Sequence, residues 1–323
     1  MTELLSTGGI LLTALLLDRW LGEPVRFHPL IGFGHMANGL EETLNVSDLS
    51  PGYGKLAGVV ALLCLVLPIV GLLFFILHLV ELPFYISYLV DSVILYLAIG
   101  QRSLYEHTAP IAHALGQNAI DLARKQVSGI VSRDTQQLSE KDIARATVES
   151  ILENGHDAVI ASLFYYLIGG LPLVILHRLI NTLDAMWGYK NTRFIHFGWA
   201  AARFDDVMGW PSARLTALLY NLQKRPVSQQ WSSWQLSCKQ AAQYKSANGG
   251  MVMAAGANVL GIQLGGEKAL YHGQPILSPV LGAGREVHTK DIRRSLALLQ
   301  RSSLLLSLSI LAIGGLTFLV STL

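Results

Sequence analysis

The run LAGVVALLCLVLPIVGLLFFILHLV, residues 56–80, contains no Asp, Glu, Lys or Arg. A helix needs about 20 mostly apolar residues to cross a bilayer, and this run exceeds that length. The chain is therefore expected in a membrane. Only Glu81 and Leu82 separate the run from a second one, residues 83–100, so the two form a tight hairpin whose outer ends, near Lys55 and Gln101, emerge on one side. Residues 304–323 make a third candidate span. Residues 4–17 fall short of the usual minimum of about 17, and residues 159–180 are long enough but interrupted by Gly169, Gly170 and Pro172.

Composition agrees. Hydrophobic residues make up 51% of the 323 and charged residues 14%, well below the usual quarter, and mean hydropathy is +0.42. The formal net charge of +2, with no basic run carrying interleaved aromatics, argues against nucleic acid as a partner. Cys64 and Cys238 form neither a CxxC pair nor a four-ligand zinc site. Glu3 stands where a secretory signal carries positive charge, and no small-residue cleavage site precedes Asp18, so the first apolar stretch reads as a retained membrane segment.

The scarce charges gather in two polar blocks, residues 132–159 (SRDTQQLSEKDIARATVESILENGHDAV) and residues 181–215 (NTLDAMWGYKNTRFIHFGWAAARFDDVMGWPSARL). Lys and Arg are frequent in both 101–158 and 181–303, and the positive-inside bias places both regions in the cytoplasm. A single crossing by 159–180 would put them on opposite faces. The Gly-Gly-Leu-Pro break resolves the conflict if that segment is re-entrant or a buried helical pair, since interrupted helices persist in membranes where protein or water satisfies the freed backbone. An ordinary kinked span with the large loop outside is the alternative. The expected fold is thus all-α and polytopic, one integral membrane domain over 1–323 with about 4–5 membrane segments and helical cytoplasmic regions at 101–158 and 181–303. No run of alternating strands appears.

Residues 140–154 show a helical apolar stripe through Ile143, Thr147, Val148, Ile151 and Leu152, with Ser139 as N-cap. Arg145, Glu149 and Glu153 recur every fourth residue, and Asp157 continues the series. They share a face. On an ordinary surface helix this is a stripe of weak ion pairs. Here a hydrophobic stretch follows at once, and unpaired charge near a membrane boundary is costly enough to suggest a site. Carboxylates beside Arg and Asn suit a magnesium–nucleotide site, with oxygen ligands for a hard cation and guanidinium forks for phosphate. Asp184, Lys190, Arg203, Asp205, Asp206 and Arg214 repeat that chemistry. Adjacent Asp205 and Asp206 point in different directions on a helix, so at most one is a direct ligand.

Familiar motifs are absent: there is no GxxxxGK[ST], no convincing GxGxxG and no HExxH among the ten histidines. His28, His156 and His196 read equally well as structural, and Ser132, Ser150 and Ser246 lack a nucleophile elbow. The small-residue stretch 246–273 reads as tight helix packing.

At these residues the chain resembles the cobinamide-phosphate synthase family of cobalamin biosynthesis, the CobD/CbiB family. The resemblance rests on LDRWLGEPVRFHPLIGFG (17–34), VSRDTQQLS, ATVESILEN, LFYYLIGGLP, INTLDAMWGYKNTRFIHFGWAAARFDD and PSARLTALL in order, with a weaker match from SANGG to LGIQLGG. It implies an ATP-dependent amide ligase, multi-pass in the cytoplasmic (inner) membrane with its site facing the cytoplasm. The enzyme would join a propionate carboxylate of adenosylcobyric acid to aminopropanol or its phosphate, with magnesium as cofactor and ATP as cosubstrate. Its partners would be those substrates, the lipid bilayer and other cobalamin-assembly membrane proteins.

The candidates carried over are Glu149, Glu153, Asp157 and Asp184 for catalysis. Glu149, Glu153, Asp184 and Asp205 are the candidates for metal, and Arg133, Asn154, Lys190, Arg203, Arg214 and Asn248 for substrate. Asp18, Arg19, Glu23 and His28 form a separate polar cluster. Where relatives read ENxSDG this chain has Glu153-Asn154-Gly155-His156-Asp157-Ala158, and where they read SPNxG it has Ser246-Ala247-Asn248-Gly249-Gly250. A noncatalytic membrane sensor or regulator on the same scaffold is the alternative, although a regulator has no need to keep these carboxylates, arginines and asparagines together.

Overall fold

The computed structural model describes residues 2–24, 28–46, 50–266, 268–271 and 274–322. Val25, Arg26 and Phe27 of the first motif, Glu267, His272 and Gly273 of the small-residue stretch, and Leu323 of the last candidate span lie outside the described residues. The helices are α1 (Thr2–Leu21), α2 (Pro29–Leu44), α3 (Pro51–Leu79), α4 (Phe84–Ala98), α5 (Gln101–Gly116) and α6 (Ile120–Val127). After these come α7 (Glu140–Gly155), a π turn (His156–Ile160), α8 (Ala161–Trp187), α9 (Trp199–Asn221), α10 (Gln230–Ala241), α11 (Ala247–Leu260) and α12 (Lys290–Thr322). The all-α expectation holds. One addition is a short antiparallel ribbon, β1 (Lys268–Tyr271) paired with β2 (Gln274–Leu277).

Among the described residues, five stretches are long and apolar enough to cross a membrane: Glu3–Leu21, Pro51–Leu79, Phe84–Gly116, Glu140–Trp187 and Lys290–Thr322. The chain is a multi-pass membrane protein. The first segment, short by sequence, forms a full helix to Leu21, and Asp18 in its last turn accepts a hydrogen bond from the Arg102 backbone N–H at 2.9 Å, capping α5. Helix α1 runs antiparallel to α12 with almost no gap, since a side chain on Gly8 or Gly314 would strike backbone of the opposite helix at 2.6 and 2.4 Å. Close backbone approach at small residues is how membrane helices gain packing where lipid removes any hydrophobic drive between them.

Segment 159–180 does turn back. Gly169 (φ −152°, ψ 24°) and Gly170 (φ 61°, ψ −154°) leave helical geometry inside α8, and the positive φ of Gly170 suits a residue without Cβ. Twelve residues of straight helix span about 18 Å, yet the rings of Tyr165 and His177 stack with centroids 5.1 Å apart. The two arms are therefore antiparallel. The first, residues 161–168, reaches about 12 Å, less than half of a hydrocarbon core about 30 Å thick. Both arms return to one level, where Gly100 N–H at the end of α4 donates to the Ala158 carbonyl at 3.1 Å. The regions 101–158 and 181–303 consequently leave the membrane on a common face.

On that face α7 begins as its sequence dictates. Ser139 and Asp142 form a reciprocal capping box, worth about 1 kcal/mol. The small-residue stretch packs as expected, with most of α11 buried. The loop between α8 and α9 is pinned by a buried carboxylate. Arg193 donates through Nε (3.0 Å) and Nη2 to the two oxygens of Glu41 on α2, and Asn45 Nδ2 adds a bond at 2.6 Å.

Burial alone would raise the Glu41 pKa, but the bonds from Arg193 and Asn45 outweigh it and leave the value below the ordinary 4.5. A depressed carboxylate stabilises the fold above its ordinary pKa and loses that contribution as pH falls through the folded value. Glu41→Gln is accordingly expected to cost about 2 kcal/mol at pH 7. Thermal unfolding in detergent should show the difference from wild type closing as pH drops below 4.5.

Candidate functional site

Above the common level two cavities share a wall. The first, about 510 Å³, is lined by Arg133 from the loop before α7, by Arg145, Glu149 and Glu153 from one face of α7, and by Tyr244 and Lys245 ahead of α11. The second, about 600 Å³, is lined by Glu23, His28, Ser103, His107, Arg178 and Tyr189, with Leu97 and Ile99 from the membrane end of α4. Ile130, Val131, Ser132, Ser150 and Asn154 face both. Asn154 Nδ2 is held by the carbonyl and hydroxyl of Ser150, each at 3.0 Å.

The fourfold spacing of Arg145, Glu149 and Glu153 thus puts all three on one cavity wall. Their roles differ. Glu149 accepts from Arg133 Nη2 on one oxygen and from Gly265 N–H on the other at 2.9 Å, so it is a strut joining two loops to α7. Glu153 reaches over the start of α11, where a Cβ on Gly249 would meet its Oε1 at 2.6 Å. Ser246 caps that helix by accepting from Gly249 N–H at 3.2 Å. Burial raises the Tyr244 hydroxyl well above the ordinary tyrosine value, with Glu149 and Glu153 adding to the shift.

One turn beyond Glu153, Asp157 leads into a group of carboxylates with Asp184 of α8 and Asp205 of α9. The π turn carries His156 inward, where Nδ1 lies 2.6 Å from Asp157 Oδ1 and Nε2 lies 2.8 Å from the Ser212 hydroxyl of α9. Arg178, on the returning arm of α8, donates at 3.4 Å to the Asp157 carbonyl and to Asn181 Oδ1, and Asn181 Nδ2 donates to Asp205 Oδ1 at 3.4 Å. The contact of Arg178 is with the carbonyl of Asp157, not its carboxylate, and its Nε is buried without a partner. Burial first, then the charges of Asp157 and Asp184, push Asp205 up to about 8. Asp206 points away and is exposed, 3.8 Å from Arg203, as adjacent positions on a helix require.

The expected substrate residues divide. Arg133 and Asn154 line cavities. Arg214 donates to Asn248 Oδ1 at 2.7 Å and stacks on Trp210, while Asn248 donates to the Asp206 carbonyl at 2.8 Å, so this pair ties α9 to the start of α11. Lys190 and Arg203 are exposed and line neither cavity. The four carboxylates expected at metal fall in two places, Glu149 and Glu153 in the first cavity and Asp184 and Asp205 beyond it. Among the described residues no three His, Cys, Asp or Glu side chains form a ready metal centre. The Asp18 cluster also separates: Asp18 caps α5, and Glu23 and His28, 3.8 Å apart, face the second cavity. Sequence reasoning missed Arg178, Tyr244 and Lys245. A lone arginine inside the apolar run 159–180 was the available signal for the first.

A multi-pass helical membrane protein with a cavity lined by both cations and carboxylates is the class that fold and site define. A family model described as CobD/Cbib protein matches residues 11–299. The chain belongs to the CobD/CbiB family and has a role in cobalamin biosynthesis. It is 46% identical over 293 residues to the cobalamin biosynthesis protein CobD of Chromobacterium violaceum, covering 89% of this chain and 90% of that one. The protein of the same name from Stutzerimonas stutzeri is 47% identical over 286 residues (88% and 90%), and that from Halalkalibacterium halodurans 34% over 316 (96% and 98%). No solved structure matches.

Because its folded pKa is raised, ionised Asp205 destabilises the fold as pH climbs from the ordinary aspartate value toward 8. In chelator at pH 8–9, Asp205→Asn should melt at or above the wild-type temperature; a clear fall in Tm would mean that its charge is already compensated.

Proposed function

We propose that the chain is an ATP-dependent amide ligase of the inner membrane, working on the cytoplasmic face. It joins a propionate carboxylate of adenosylcobyric acid to aminopropanol or its phosphate. The observation that carries the reading is the cavity lined by Arg133, Arg145 and Lys245 together with Glu149 and Glu153, the last of which feels the charges of Asp157 and Asp184. Family membership supports it.

Cations in a partly enclosed cavity suit the phosphates of ATP. The Asp184 and Asp205 carboxylates fit a magnesium ion, which is commonly held by one or two carboxylates with water and phosphate completing the shell. Crowding that raises Asp205 leaves room for such a cation. When bound, magnesium supplies positive charge to the phosphate oxygens. The second cavity, with its apolar membrane end, admits the corrinoid side chain, and Asn154 on the shared wall orients the carboxylate between the chambers.

The substrate carboxylate oxygen then bonds to the γ-phosphorus as the bond to ADP breaks, with Arg133 and Lys245 holding the transferred phosphoryl group. The amine nitrogen attacks the acyl carbon, phosphate leaves, and a carboxylate takes the ammonium proton. Glu153 is suited to that step because, unlike Glu149, its oxygens are not both committed to bonds within the fold.

Purified protein incubated with adenosylcobyric acid, magnesium-ATP and aminopropanol phosphate should give the amide, detected by mass. Glu153→Gln should lower kcat about 10²–10⁴-fold while leaving the Tm unchanged. Full activity in that variant would remove Glu153 from the chemistry, and a folded wild type giving no product with any amine would overturn the ligase reading.

A further inference from the structure

Helix α9 touches the membrane level at three separate places. Near its start, Trp199 lies 5.2 Å from Nζ of Lys55, the last charge before the uncharged run 56–80 of α3. The preceding loop also packs there, since a Cβ on Gly58 would strike the Phe197 carbonyl. Midway, Ser212 meets His156, two residues from the Ala158 carbonyl that receives Gly100 N–H at the end of α4. Just past its end, Gln223 donates to Ser302 at 2.8 Å, immediately after Arg301, the last charge before the uncharged run 302–322 of α12. A helix, continuous through Pro211, that comes near α3 and α12 where their charged residues stop, and meets the π turn beside the end of α4 between them, lies along the boundary, not across it.

The two sides of α9 differ accordingly. Asp205, Met208 and Ser212 face the protein. The opposite side exposes Trp199, Val207 (69% exposed), Trp210 (57% exposed) and Leu218, interspersed with the Arg203–Asp206 pair and Arg214. Tryptophan and arginine among large aliphatics are the composition of a helix in the headgroup layer, where amphipathic rings and guanidinium groups have both apolar and polar surroundings. The exposed side also continues the apolar surface of α3, whose Leu56, Val60 and Leu63 are likewise uncovered.

We propose that α9 lies flat in the lipid headgroup layer, with Trp199, Val207, Trp210 and Leu218 immersed in the membrane surface and Asp205 turned inward. The lipid surface is then the partner of a helix within region 181–303, independently of the reaction catalysed.

Nitroxide labelling of the full-length protein in phosphatidylcholine–phosphatidylglycerol vesicles tests this. Cys64→Ala and Cys238→Ser remove the native thiols, and Val207→Cys or Leu218→Cys carries the label; two sites guard against a variant that fails to fold. Glu286→Cys, on the exposed Lys141 pair, is the aqueous control. The expected result is an oxygen-to-nickel collision ratio at 207 and 218 several-fold above the control, as for sites buried about 5–10 Å into the headgroup boundary. A ratio equal to the control would place the face in water. Low collision with both reagents would show it covered by protein, either a second copy or another partner. Each of those two results overturns the proposal.

Discussion

A backbone that enters a bilayer and turns back must find partners for the groups its turn releases, since lipid offers none. The reversal at Gly169 and Gly170 imposes that requirement on everything around it. Side chains of the hairpin anchor it to its neighbours: on one side to α4, where the Ala98 carbonyl accepts from the Ser162 hydroxyl and Asp91 accepts from Tyr166 at 2.6 Å. On another, Tyr165 donates to the Met208 carbonyl of α9. In return the hairpin delivers Asp157 at the start of its inward path and Arg178, Asn181 and Asp184 on its outward path. Four polar residues spread over 28 positions of sequence are thereby gathered at one depth.

The apolar runs made most of the fold legible, because spanning length and the absence of charge are local properties of sequence. The break at 169–170 was legible for the same reason. Helix α1 was read too short because its terminal turn contains Asp18 and Arg19; Asp18 is held by a tertiary bond to α5 that no local pattern reveals, and Arg19 is exposed. At the site, the fourfold spacing on α7 correctly grouped Arg145, Glu149 and Glu153. It gave no means of separating a strut from a free carboxylate, since the partner of Glu149 at Gly265 lies 116 residues away. Lys190 and Arg203 sat in dense polar sequence but end on the surface, where charge needs no partner.

The two departures from the family pattern within residues 153–158 are accommodated locally. His156 takes an inward position that the π turn supplies, and it engages Asp157 and Ser212 together. An imidazole here can hold the aspartate and also lock α9 against α7. Ala158 faces Gly100, where a side chain would press on its methyl at 3.4 Å, so the extra carbon fits because position 100 has none. Both changes leave the carboxylates of Glu153 and Asp157 where the spacing puts them.

The tight pairing of α1 with α12 bears on how the protein is made. Gly8 packs on the backbone of Leu311 and Gly314 on that of Leu5, so α1 has its principal neighbour about 300 residues further along the chain. At about 5–20 residues per second the ribosome needs on the order of 15–60 s to travel from one to the other. Through that interval α1 is in the membrane with its packing face open, and Asp18 waits for α5. The cavity likewise lacks its far wall until the loop bearing Gly265 has emerged. The site is therefore complete only once that loop has been made, and a chain stalled before α12 would leave α1 packed on α4 alone along its length.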